Sequence, residues 1–231
     1  MQVAIDGPAS AGKSTVAKLI AQKLNFIYID TGAMYRACTL IAQKHGIDYS
    51  NEAEILKAVE AEGIEFQTVN NEQRVYVGKQ DVSQEIRTPE ISANVSQVSA
   101  LAGIRAKMVD LQRQMAGKMD VVMDGRDIGT TVLPNAQVKI FLIASAYSRA
   151  KRRMLDFKER GIKNSQTIEE IEVDITARDY KDSHRKISPL RKAAGAIEID
   201  TTNMTIAQVV DAILAEIKKS QKKTRKKGIK Q

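Results

Sequence analysis

Apolar positions in this chain fall into two alternating rhythms. Residues 2–5 form a short apolar run that leads directly into a glycine-rich loop, and from Lys13 to Leu24 the positions Val16, Leu19, Ile20 and Leu24 recur at helical spacing. The order is strand, loop, helix. Residues 26–29 predict a second strand, and residues 33–45 a helix stopped by Gly46. Further apolar runs at 121–123, 138–143 and 196–199 each pass through a loop into helix-forming sequence. Strands that are apolar on both faces and alternate with helices predict an α/β fold with a parallel sheet covered on both sides.

One segment breaks this rhythm. Residues 64–67 and 74–77 alternate with period two around the turn-forming pair Asn70 and Asn71, predicting a hairpin or small antiparallel sheet. It reads as a small subdomain, about residues 60–88, inserted into a core made of 1–50, 90–145 and 190–217. Helical sequence resumes over 89–115.

Composition narrows the class. A length of 231 residues suits one sizeable α/β core with a small insert, and 43% apolar with 28% charged residues is ordinary for a globular chain. There is no run of about 18 apolar residues to cross a bilayer, and no basic segment leads into an apolar one at the start. The lone Cys38 precludes an intrachain disulfide, in keeping with a reducing cytoplasm. The net charge of +8 is local. Residues 218–231 hold Lys218, Lys219, Lys222, Lys223, Arg225, Lys226, Lys227 and Lys230 with no acidic residue; without them 28 Lys and Arg stand against 28 Asp and Glu. The expectation is a solvated, disordered basic tail on a neutral body that ends at 217, with no specific nucleic-acid partner.

The chemistry begins at Gly7-Pro8-Ala9-Ser10-Ala11-Gly12-Lys13-Ser14-Thr15, which fits G-x-x-x-x-G-K-[ST] between the first strand and the first helix. Glycines let the backbone wrap round phosphate oxygens, so that successive N–H groups and the helix N-terminus face negative charge. Lys13 is placed to reach the β and γ phosphates of a nucleoside triphosphate, and the Ser14 hydroxyl to ligate Mg²⁺. The guanine-reading Asn-Lys-x-Asp of GTPases is absent. Asp124, at the end of the 121–123 run, is placed like the carboxylate that orients Mg²⁺ through water; on spacing alone it fits a strand-end turn equally well.

Arginines suggest a second phosphate site. Arg36, Arg126, Arg178 and Arg185 each follow a turn or end a helix, and the planar guanidinium suits bidentate phosphate binding. Taken singly, each also fits an ordinary surface position. Arg149, Lys151, Arg152, Arg153 and Arg160 follow the 138–143 strand, either as a solvated basic face or as the arginines of a lid, about 146–165, that closes on the transferring phosphoryl group and excludes water.

Together the segments Ile5-Asp6-Gly7-Pro8-Ala9-Ser10-Ala11-Gly12-Lys13-Ser14, Asp30-Thr31-Gly32-Ala33-Met34-Tyr35-Arg36, Glu85-Ile86-Arg87, Ser96-Gln97-Val98, Asp124-Gly125-Arg126-Asp127-Ile128-Gly129 and Lys139-Ile140-Phe141-Leu142 resemble bacterial cytidylate kinase. The resemblance covers about residues 2–217. It implies a nucleoside monophosphate kinase fold: a five-stranded parallel sheet flanked by helices, a lid, and an acceptor domain matching the antiparallel insert. It implies ATP and Mg²⁺, with CMP and dCMP as acceptors, in a cytoplasmic, monomeric protein without a membrane partner. Thr31, Arg36, Arg126 and Arg185 would hold the acceptor phosphate; Ser96, Arg105 and Asp127 would read cytosine; Arg178 and Asp182 would hold the sugar. Lys13, Arg126, Arg152 and Arg153 would serve catalysis. Thr31 stands where the family often has serine, and keeps the hydroxyl. Another small acceptor, or a nucleic-acid-associated NTPase using the basic tail, are the alternatives.

Overall fold

Strand β1 (Gln2–Asp6) is buried from its second residue onward, and a strand without a wet face needs partners on both edges. In the computed structural model, which describes residues 1–69, 72–117, 119–159 and 161–228, it has them. Parallel strands β6 (Val121–Gly125) and β7 (Val138–Ile143) flank it, and β2 (Ile27–Asp30) and β8 (Ile197–Asp200) complete a five-stranded sheet of order β2-β6-β1-β7-β8. Helix α1 (Lys13–Leu24) and helix α8 (Ile206–Gly228) cover it: Val16 and Ile20, with Val209 and Ile213, share one core with Val3, Ile5, Val122 and Ile140. The expected parallel sheet flanked by helices is therefore present.

The chain divides into two compact units. The first takes residues 1–28, 118–184 and 188–231 and contains most of this sheet. It also holds helices α6 (Ala146–Glu159) and α7 (Ile168–His184), which pack through Ala150, Met154, Phe157, Ile171 and Ile175. Arg160, counted in the basic cluster, lies outside the described residues.

The second unit takes residues 29–117 and 185–187, wider than the insert expected at 60–88. Helices α2 (Thr31–Lys44), α3 (Glu52–Glu62), α4 (Pro89–Val98) and α5 (Ala102–Ala116) belong to it. So does an antiparallel sheet of β3 (Ile64–Val69), β4 (Glu72–Val77) and a short β5 (Gln80–Asp81). The reason for the wider boundary is α2: Met34, Cys38 and Ile41 sit in one core with Ile55, Val75, Ile91 and Met108, so helices and hairpin bury a common face. Asn70 and Asn71, the expected turn, lie outside the described residues. The helical stretch read over 89–115 is two helices, because Leu101 takes an extended backbone and restarts the chain as α5.

The chain beyond residue 217 differs from the expectation of disorder. Helix α8 runs on to Gly228, and the Ser220 hydroxyl donates to the Gln137 carbonyl at 3.3 Å. Lys, Arg and Gln are good helix formers, and adding turns to a helix already anchored on the core avoids the cost of nucleation. Residues 229–231 lie outside the described set. The anchoring is in Val209, Val210, Ile213 and Ile217, all buried. Chemical denaturation should separate the two parts of α8: Ile213→Ala is expected to cost about 3 kcal/mol, while truncation after Ile217 costs under about 1 kcal/mol.

Candidate active site

The phosphate-loop motif lies between β1 and α1 at the carboxyl end of the parallel strands. Gly7 has φ of 149°, and a Cβ there would stand 2.2 Å from the Leu142 carbonyl oxygen on β7. The loop can leave β1 this close to its neighbour only because the residue has no side chain. It ends at Gly12, left-handed at φ 87°, where α1 starts with no side chain capping its first amides. Those amides are the groups that an anion satisfies at a helix N-terminus. Lys13 arches back over the loop, its ammonium donating to the Pro8 carbonyl at 2.7 Å. Its side chain is buried, and that desolvation, helped by the nearby charge of Arg126, lowers its pKa to about 7 against the opposing pull of Asp124 and Asp6.

Asp124 closes the next strand in register with Ile5. Its two oxygens accept from the Ser14 hydroxyl at 2.8 Å and the Tyr28 hydroxyl at 2.9 Å. Asp124 is thus tied to the phosphate loop through the motif serine. Two hard oxygen donors side by side fit Mg²⁺, which keeps several waters and takes its other ligands from phosphate. Among the described residues, no group of three or more acidic, His or Cys side chains is placed to hold a metal ion.

Arg126 lies close enough to three other cationic side chains of this unit, Lys13, Arg153 and Arg178, to weaken their hold on protons. Arg178 on α7 is pushed down to about 10, first by burial and then by Arg126; Arg153 on α6 is lowered by burial, with Asp156 and Asp174 opposing and Arg126 assisting. Arg126 donates from Nε to Asp182 at 3.0 Å. Lys13, Arg126, Arg153, Arg178 and Asp182 are thus brought together. Arg152 is not: its guanidinium bonds the Thr201 hydroxyl at 3.0 Å and the Thr201 carbonyl, tying α6 to the end of β8. The arginine that reaches the loop is Arg149, donating to the Ala9 carbonyl at 3.0 Å and to Asp179, whose other oxygen accepts from the Ala9 amide at 3.1 Å. Neither Arg149 nor Asp179 was singled out as a site residue. The only signal was spacing, since Arg149 precedes Arg153 by one helical turn.

Asp127 is also in this unit, 4% exposed, and Asp6 beside it accepts from the Ile128 and Gly129 amides at 2.8 and 2.7 Å. Burial pushes the Asp6 carboxyl up to about 6 despite those bonds. In the second unit, Asp30 caps α2 by accepting from the Ala33 amide, and Thr31 opens that helix, buried. Arg36 donates to the Ser92 hydroxyl at 2.7 Å and the Ile86 carbonyl at 3.2 Å. Ser96 lies half-buried on α4. Arg105 on α5 is 2% exposed, donates to the Ser99 carbonyl at 3.1 Å, and sits 5.3 Å from the Tyr35 ring centre. Arg185 directly follows α7, half-buried.

A family model described as Cytidylate kinase matches residues 3–219 of this chain. A cytidylate kinase of Lactobacillus gasseri is 68% identical over 222 residues, covering 96% of each chain. Those of Limosilactobacillus reuteri and Oceanobacillus iheyensis are 52% identical over 96% of each chain and 54% identical over 93% of each.

The depressed Lys13 pKa has a measurable sign. Bound phosphates would return Lys13 toward its ordinary value, so between about pH 7 and 10 binding must take up protons. Affinity for a nucleoside triphosphate is therefore expected to weaken as pH rises above 7, at most about tenfold per pH unit. Calorimetry at pH 8 in two buffers of different ionisation enthalpy should show net proton uptake that disappears in Lys13→Met.

Proposed function

The chain belongs to the cytidylate kinase family, and from that premise we propose that it moves the γ-phosphate of ATP onto CMP or dCMP, leaving ADP and CDP or dCDP. The observation that carries this reading is the gathering of Lys13, Arg126, Arg153 and Arg178, close enough that Arg126 lowers the proton affinity of the other three. Like charges held so close are unfavourable in themselves. They make sense around a dense anion, and phosphoryl transfer from a triphosphate to a phosphate monoester supplies one.

The protein has little covalent work to do, because a phosphate monoester already presents a nucleophilic oxygen. Its task is alignment, charge and the exclusion of water. Lys13 and the amides of the phosphate loop hold the β and γ phosphates of ATP. Thr31, Arg36, Arg126 and Arg185 hold the acceptor phosphate in line, and Arg178 with Asp182 holds the sugar. Mg²⁺, held by Ser14 with Asp124 orienting its waters, would neutralise charge on the phosphates. Arg153 offsets charge on the equatorial oxygens of the moving group; such an arginine is worth roughly 10³ to 10⁵ in rate. Arg152 is tied to Thr201, and Arg149 with Asp179 braces the loop at Ala9.

Base selection rests on donor and acceptor order. Cytosine carries an amino donor beside the N3 acceptor, whereas uracil carries a carbonyl acceptor beside an N3 donor. The Asp127 carboxylate accepts from the amino group, while Arg105 and Ser96 serve the acceptors. Against uracil the carboxylate faces an oxygen, and a buried group left so mismatched can discriminate by roughly 10⁴. No helix among the described residues is long and apolar enough to cross a membrane. We take the protein to act in the cytoplasm as a monomer on small nucleotides, without a nucleic-acid partner.

ATP-dependent ADP release measured against each nucleoside monophosphate in turn tests the assignment. CMP and dCMP should be good acceptors, and UMP, AMP and GMP poor. Folded Lys13→Ala should lose most turnover. Asp127→Ala should lose kcat/KM for CMP far more than ATP binding; equal use of CMP and UMP by the parent enzyme would sink this account of base readout.

A further inference from the structure

Both polar backbone groups of Ala9, in the middle of the phosphate loop, are held from outside the loop. Its amide donates to one oxygen of Asp179 on α7 at 3.1 Å, and its carbonyl accepts from the Arg149 guanidinium on α6 at 3.0 Å; the same guanidinium nitrogen donates to the other Asp179 oxygen. Arg149 is itself steadied by donating from Nε to the Ala144 carbonyl at 3.0 Å. The two side chains are only 8% and 19% exposed, so salt screens the pair little. The peptide they grip leads into a special backbone. Ser10 at φ 57° and Gly12 at φ 87° are left-handed, and Ala11 between them is not. Such alternation turns successive amides toward one concave side, the arrangement that receives phosphate. A left-handed φ is unfavourable for a residue with a Cβ, so at Ser10 it depends on what surrounds it.

We infer that Arg149 and Asp179 are positioning residues for the donor phosphates: as an ion pair clamped on both polar groups of Ala9, they fix the peptide that carries the Ser10 amide and hold the loop in its phosphate-receiving shape. A trans peptide points its carbonyl and its N–H in opposite directions, and the chain has no cis peptide among the described residues. Holding the Ala9 carbonyl against Arg149 therefore turns the Ser10 amide away from α6. The inference rests on the proposed binding of ATP at this loop and deepens it, because it assigns part of the donor affinity to two helices that lie far from the motif in sequence. Those helices act as one piece, since Ala150, Met154 and Phe157 pack on Ile171 and Ile175. Charge and geometry make opposite claims for Asp179. An anion near a phosphate site should weaken binding, so its removal should on Coulombic grounds tighten it. A carboxylate whose work is to hold the Ala9 amide should weaken binding when removed.

The test is the affinity for ADP alone, measured by calorimetry on the full chain, with CMP alone as the control. Asp179→Ala is expected to weaken ADP binding about tenfold, and Arg149→Met by a similar factor, while CMP affinity stays within about twofold. The double variant should bind ADP no more weakly than the worse single one, as two residues acting through one contact are not additive. Hydrogen exchange on the parent protein supplies a reading that needs no variant: the Ala9 amide should exchange slowly without nucleotide. Tighter or unchanged ADP binding by Asp179→Ala, an equal loss for CMP, an additive loss in the double variant, or fast exchange at Ala9 would overturn the inference. If Lys13→Ala itself keeps the parent affinity for ADP, the reading of the loop has failed and takes this inference with it. If Lys13→Ala loses that affinity and the Arg149 and Asp179 variants keep it, only the inference falls.

Discussion

The register of β1 against its two neighbours governs the chemistry of the first unit. With Ile5 opposite both Asp124 and Ile140, β1 and β6 finish level and β7 runs two residues further, so Asp6, the phosphate loop and Asp124 emerge at one end of the sheet. A slip of one residue would turn Asp124 to the other face of the sheet and separate it from Ser14. The apolar residues that hold the register, Val3, Ile5, Val122 and Ile140, are the ones that pack against α1 and α8. Burial and chemistry are therefore not separable here, since the contacts that stabilise the sheet also aim its polar ends.

The cationic cluster illustrates the opposite tendency. Lys13 and Arg178 are both held below their ordinary proton affinity mainly by burial, and Arg126 adds to the effect on each. Such an arrangement lowers the stability of the ligand-free fold and is compensated only in part by Asp124, Asp6 and Asp182. Electrostatic groups fixed in advance need not reorganise when charge develops during transfer, which is why sites of this kind are built already strained.

Elements with a strong period were legible in the sequence. All five strands of the parallel sheet, the β3–β4 pairing and the strand–loop–helix setting of Lys13 follow from apolar spacing and glycine placement. The break at Leu101 was not legible, because neither glycine nor proline marks it and the apolar face continues across. The wider second unit was hidden for a related reason: periodicity shows that α2 has a buried face but not which elements cover it. At the site, motif residues such as Ser14 and Asp124 were legible because their chemistry is tied to spacing. Arg152 and Arg149 could not be told apart, since both lie on the same basic helix and only the packing of α6 against β8 decides which guanidinium meets Thr201 and which meets Ala9. Asp6 was hidden altogether, as its partners are backbone amides that leave no mark on composition.

The division into a unit made almost wholly of residues 29–117, with 185–187, and a unit assembled from pieces on either side of that stretch bears on how the protein is made. As the chain leaves the ribosome, β1 and α1 precede residues 29–117, and the strands that flank β1 come only after them. Until then this buried strand has both edges unpaired. The second unit, rich in local helix and hairpin contacts, can collapse at once, whereas the sheet closes last, when α8 delivers Val209 and Ile213 to its face. The phosphate-binding end of the molecule is thus translated before residues 29–117 and completed only after them, when β6 and β7 reach the edges of β1.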